Sequence, residues 1–233
     1  MFSKIANNLF GPASVSAKVN RFYELYKATL VFSLMMVPYM LVNLIFKVHP
    51  VTMPIYLIVG VWLYPNVMAL WKVFTVVYGE DTTLKLGAYF RLYWQQLRRF
   101  LKPALITGAV ANLIIGGYLY EVALILTHKQ LAFMIVPFIV IGALATAALL
   151  QYLMISVKAP TLAWRSRLKL AIFMGWKYIG KSTIMAFVFV AWLSFANQAA
   201  FLNVLIVSMV IWWLLYRQLD AGLAKLAKQL DKE

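Results

Sequence analysis

Glu121 and His128, seven residues apart, are the pair of side chains in this chain best placed to do chemistry. Seven residues make two helical turns, so both stand on one face if a helix runs that far. A carboxylate near an imidazole can relay protons or hold a metal, and His49 is the one further imidazole. Glu121 lies near the end of a long apolar run, so the expectation is a hydrated carboxylate at headgroup depth rather than a relay. Asn112 is the second candidate, and with Glu121 it forms the possible polar site of a transport path. The rest of the catalytic vocabulary is missing. There is no cysteine, hence no thiolate metal site and no disulfide. No phosphate-binding Gly-rich loop, His-rich motif or nucleophile elbow occurs. The expectation is a non-enzyme without cofactor or metal.

The elements that carry these side chains are apolar runs. The chain has 233 residues, of which 64% are hydrophobic and 12% charged. A soluble domain of this size needs about a quarter of its residues charged. A bilayer explains the deficit, and about 20 apolar residues cross it as a helix. Nothing in the runs alternates with period 2, so barrel strands are excluded and the fold class is all-α, polytopic in a membrane.

Charge placement orients the runs. Lys and Arg number four before the first run, five between the second and third, six between the fourth and fifth, and four after the last. The other connections hold one, one and none. Positive residues collect on the cytoplasmic side, so both termini belong there and the number of crossings is even. The formal charge of +15 is then a topology signal plus attraction to anionic phospholipid, and nucleic acid is not the expected partner. A charge-free stretch of 35 residues, 182–216, must fold back on itself near Asn197 and Gln198. The expectation is one integral domain, 1–233, with spans at 28–46, 52–77, 103–127, 131–157, 182–197 and 199–216. These make three hairpins, 20–77, 89–157 and 169–216, in a cytoplasmic membrane. At the N-terminus, Phe2, Ile5, Leu9 and Phe10 fit a short helix lying in the inner interface rather than a cleaved leader.

Each hairpin is prefaced by a segment mixing aromatics with cations. In the middle one Phe90, Tyr93, Trp94, Leu97 and Leu101 follow helical spacing, and Arg91, Gln95, Arg98 and Lys102 follow it on the opposite side. A helix of this kind is expected to lie along the membrane surface with its cations reaching phosphates. Phe90, Arg91, Tyr93, Trp94, Arg98, Arg99, Lys169, Trp176 and Lys177 form the candidate surface for lipid or a partner helix. After the last run, Leu219, Leu223, Leu226 and Leu230 make a stripe read as an extension lying on the membrane.

Within the runs, Ala104, Gly108, Asn112 and Gly116 recur every four residues, and Gly142, Ala143, Thr146 and Ala147 give the fourth run a small surface too. This small-xxx-small pattern predicts tight packing of the third and fourth spans on each other. Lys72 is read as an anchor reaching the inner interface. Pro38, Pro65 and Pro137 are read as kinks inside spans.

The order of these features resembles a family. Pro38 closes a first apolar run; Gly60 and Pro65-Asn66-Val67-Met68-Ala69-Leu70 lie in the second, followed by Gly79-Glu80-Asp81. Then come Phe90-Arg91-Leu92-Tyr93-Trp94-Gln95-Gln96-Leu97-Arg98, and later Leu168-Lys169-Leu170-Ala171-Ile172-Phe173 with Trp176 and Lys177. Over 20–216 these pieces are similar to the YesL-like family of small bacterial membrane proteins, with Leu97 where that family favours an aromatic and Gly180 near its Asn-Pro step. The resemblance implies a cell-membrane protein often encoded beside carbohydrate-uptake ABC transporters, with no catalytic residues to carry over. The expected function is a non-enzymatic accessory or assembly subunit of a carbohydrate-uptake complex, touching ABC permease subunits. The alternative is a stand-alone small-solute transporter or channel.

Overall fold

The computed structural model of the chain describes residues 12–46, 49, 51–80, 84–198 and 207–230. Helices follow one another throughout these residues, and no strand occurs among them. They are α1 (Pro12–Met35), α2 (Val37–Ile45), α3 (Met53–Gly60), α4 (Leu63–Glu80) and α5 (Leu86–Thr127). After a 3-10 helix (Lys129–Met134) come α6 (Ile135–Lys158), α7 (Trp164–Lys177), α8 (Ile179–Gln198) and α9 (Ser208–Leu230). Three stretches, Met53–Val77, Leu86–Thr127 and Ile135–Lys158, are long and apolar enough to cross a bilayer. The apolar part of α8 described here, Ile179–Trp192, is shorter. The expected N-terminal interfacial helix and most of the turn after Gln198 lie outside the described residues.

Prolines set the helix boundaries. Pro38 has no N–H for the carbonyl four residues back, and the first run breaks at Met36, whose N–H is shared between the Phe32 and Ser33 carbonyls at 3.0 and 3.1 Å. The second run breaks after Gly60, where the Val61 and Trp62 N–H groups fall back to the Ile58 and Val59 carbonyls at 3.3 and 3.0 Å. Pro65 then sits in the first turn of α4, where a missing N–H costs nothing. Pro137 likewise stands in the first turn of α6, so it kinks no span, contrary to expectation. Among the described residues, the proline in a helix interior is Pro103.

Helix α4 is the hub. Ala69, Leu70, Trp71, Val73 and Phe74 are wholly buried, with α1, α5 and α6 packed around the helix. From α9, Trp212 meets Trp71 edge-on at 6.1 Å and Tyr216 meets Phe74 at 5.5 Å. Trp212 also meets Phe32 at 5.5 Å and Trp192 at 4.9 Å. Close dispersion contact and edge-to-face geometry hold these rings together at the centre.

The stripe of α5 packs on α3 and α4 rather than on α6. A Cβ at Gly108 would stand 2.5 Å from the Tyr64 ring, and one at Gly116 would stand 2.8 Å from a Leu57 methyl. Among the described helices, the α4–α5 interface is the most extensive. The other small surface does serve the predicted hairpin: a Cβ at Gly142 would collide with the Tyr118 ring of α5. The stripe pattern specifies close approach of backbones, but it does not name the helix that approaches.

Contacts along α5 also fix its course. Gly108 lies against Tyr64, Asn112 against Gly60 and Gly116 against Leu57, an antiparallel register in which the two residue numbers sum almost to a constant. Continued, that register would set Tyr93 near the C-terminal end of α4, yet Tyr93 bonds Asn66. The 42 residues of α5 span about 63 Å at 1.5 Å each, roughly twice the hydrocarbon thickness. The N-terminal part of α5 therefore departs from that register, the change falling between Tyr93 and Gly108, a stretch that contains Pro103.

Two surface expectations need correction. The buried face of this N-terminal segment is Tyr89, Tyr93, Leu97 and Phe100, while Phe90 and Trp94 are exposed. The stripe is rotated because the tyrosine hydroxyls have partners inside the bundle. The leucine stripe of α9 does not lie on a membrane surface either. Leu219 and Leu226 are buried, and Leu223 packs against the core.

Candidate functional site

Interrupted helices leave carbonyls without main-chain donors, and in lipid nothing but protein can satisfy them. The break after Gly60 frees the Leu57 carbonyl, because Val61 bonds Ile58 instead. The Asn112 amide supplies that donor at 2.5 Å. Its oxygen accepts from the Tyr64 hydroxyl at 2.7 Å. At the break in the first run, the Trp62 indole donates to the Met35 carbonyl at 2.8 Å. Asn66 donates to the Trp62 carbonyl at 2.7 Å and accepts from the Tyr93 hydroxyl at 2.8 Å. Asn66 and Tyr93 have no exposure at all. This polar seam joins α1, α3, α4 and α5, and both ends of the Asn112 amide are committed to it.

A second cluster stands where α1 meets the α4–α5 connection. Glu24 and Lys27, one helical turn apart, form an ion pair of 2.6 Å with both side chains under 10% exposed. Tyr89 donates its hydroxyl to Glu24, and the Leu84 N–H approaches the same carboxylate at 3.4 Å. Lys27 in turn donates to the Leu84 carbonyl at 2.5 Å and lies over the rings of Tyr23 and Tyr89 at 4.6 and 5.1 Å. Burial by itself would raise the Glu24 carboxyl. The bonds from Lys27, Tyr89 and Leu84, with the Lys27 charge, outweigh it and hold the group below its ordinary value. Burial and the neighbouring carboxylate push the Tyr89 hydroxyl up. Charge counting treats Lys27 as one more topology cation and passes over Glu24. The available signal is the i, i+3 spacing of opposite charges beside a long apolar run.

A third tie joins α6 to α9. Lys158 and Asp220 pair at 2.8 Å, with the Tyr216 hydroxyl 3.3 Å from the same ammonium. Burial lowers the Lys158 ammonium, and its bond to Asp220 together with Tyr216 leaves it raised.

The candidate docking residues divide. Tyr93 is turned inward, whereas Phe90, Arg91, Trp94, Arg98 and Arg99 on α5, and Lys169, Trp176 and Lys177 on α7, are exposed. The Arg98 guanidinium lies 5.1 Å from the Trp94 ring, and the Lys177 ammonium 5.4 Å from that of Phe173. Glu121 and His128 are both exposed. The His128 ring bonds the Leu124 carbonyl and Thr127 rather than Glu121. Among the described residues no group of three or more His, Cys, Asp or Glu could hold a metal ion. Thr146 donates to the Gly142 carbonyl of its own helix at 2.8 Å. No family model, curated protein or solved structure matches this chain.

Proposed function

We propose that the chain is a non-enzymatic accessory or assembly subunit of a membrane transport complex in the bacterial cytoplasmic membrane. It crosses six times as three hairpins with both ends in the cytoplasm, and the YesL-like resemblance makes carbohydrate uptake by an ABC transporter the system it serves. The observation that carries the reading is the division of the N-terminal part of α5. Its tyrosine hydroxyls are locked inward on Glu24 and Asn66, which turns Phe90, Arg91, Trp94 and Arg98 outward as a fixed aromatic and cationic face. Aromatics and Arg are the residue types enriched where proteins meet. Along the apolar part of the same helix, only 11% of the spanning window is covered by the rest of the chain. Leu113 and Ile114 there present their side chains outward, a length of helix that a permease can lie against. The intramembrane amides serve structure instead, since Asn112 and Asn66 spend their bonds on helix breaks.

Gentle extraction of the tagged chain tests the reading. Recovery of an ABC permease or its ATPase with the chain is expected, and repeated recovery of the chain alone would overturn it.

A further inference from the structure

A groove of about 350 Å³ opens between α5 around Pro103, the C-terminal turns of α6 and the first turn of α7. Its size is that of a small-ligand site. Arg99 and Arg167 line it from opposite helices, with Phe100, Pro103, Tyr152 and Trp164 as apolar and aromatic walls. No acidic residue lines it, and among the described residues neither guanidinium enters an ion pair. The Arg167 guanidinium lies 5.8 Å from the centroid of the Tyr152 ring. Its Nε–H is buried without a hydrogen-bond partner. A buried donor left unmet is destabilising, so the site calls for an acceptor. Three hydroxyls stand in the wall, those of Thr107, Tyr152 and Ser156, and none of them accepts from the Arg167 Nε–H.

We infer that this groove is a binding site for the phosphate of an anionic phospholipid, held between the guanidinium groups of Arg99 and Arg167. Planar guanidinium forks match a phosphate, and each contact is a charge-assisted hydrogen bond. The location selects a lipid as the source. The groove begins where the apolar run of α5 begins, among the cations that mark the inner leaflet, and Trp164 is exposed there as interfacial tryptophans are. A headgroup reaches it by lateral diffusion while its acyl chains stay in the bilayer. The inference is independent of any partner protein.

The full chain is purified in mild detergent with phosphatidylglycerol and phosphatidylcholine supplied in equal amounts, and bound lipid is counted by native mass spectrometry. The wild type should retain one phosphatidylglycerol. Losing one charge-assisted contact corresponds to a weakening of about tenfold or more, expected for R99Q and R167Q. R91Q, which removes an equal charge from the outer face, should bind as the wild type does. Arg99 is exposed, so R99Q reads the site without burdening the fold, and R167K should recover part of the loss. Equal weakening by R91Q, equal retention of phosphatidylcholine, or displacement of the lipid by millimolar inorganic phosphate would each overturn the assignment. The last would make it a free-anion site.

Discussion

The side-chain amide of Asn112 occupies the carbonyl of Leu57, which the break between α3 and α4 strips of its main-chain donor. The residue is thus part of the backbone bonding of a neighbouring helix. N112A should destabilise the chain by about 1–2 kcal/mol, measured as unfolding in detergent, because a buried carbonyl is left unmet. Y64F should cost less, since it removes the second bond and leaves the first. Equal losses would show that the amide is not the donor that matters.

Glycines in α5 give a paired test of packing. At Gly108 a methyl would press into the Tyr64 ring, whereas at Gly117 nothing lies within 4 Å. G108A should destabilise by about 1–3 kcal/mol through overpacking. G117A should be neutral or stabilising by up to about 1 kcal/mol through helix propensity. Similar shifts for both would mean that the α4–α5 interface is looser than described.

Acid should weaken the fold through the Glu24 cluster. The folded carboxyl titrates below its ordinary value of 4.5, so the folded state binds fewer protons than the unfolded. Its contribution to stability is whole above that ordinary value and is lost as pH falls through the folded one. Tyr89 has the opposite sign: its raised hydroxyl contributes below its ordinary value of 10.0 and is lost as pH rises beyond. Thermal unfolding of the wild type should therefore weaken on the acid side, and E24Q should flatten that limb. A wild-type acid limb that survives E24Q unchanged would place the titrating group elsewhere.

Membrane class, helix content and the small-residue stripe were legible because lipid imposes length and apolarity, and close approach imposes Gly and Ala at every fourth position. The partner of the stripe was not legible. Gly108 and Gly116 look alike against any neighbour, and only the break after Gly60, with its free carbonyl, selects α3 and α4. The face of the N-terminal part of α5 was misread for a related reason. Apolar counting groups Phe90 with Tyr93, whereas the bonds of Tyr89 and Tyr93 to Glu24 and Asn66 turn that helix by about one position. Glu24 was missed because a lone carboxylate among cations reads as solvated until its partner loop is known.

Topology can be read directly, since the chain has no native cysteine. In right-side-out cells a membrane-impermeant thiol reagent should label H128C, and it should reach K169C only after permeabilisation. Both positions are exposed on the molecule. Labelling of K169C in intact cells would reverse or break the proposed set of crossings.

Contact at the outer face of α5 is the most direct measure of the proposed role. A photo-crosslinking phenylalanine analogue at Phe90, irradiated in the native membrane, should form a discrete adduct with an ABC permease or ATPase. The adduct should vanish when Trp94 and Arg98 are replaced by alanine, two side chains that stack on each other at this face. Adducts to lipid alone at position 90, or a permease adduct indifferent to those replacements, would contradict the docking role.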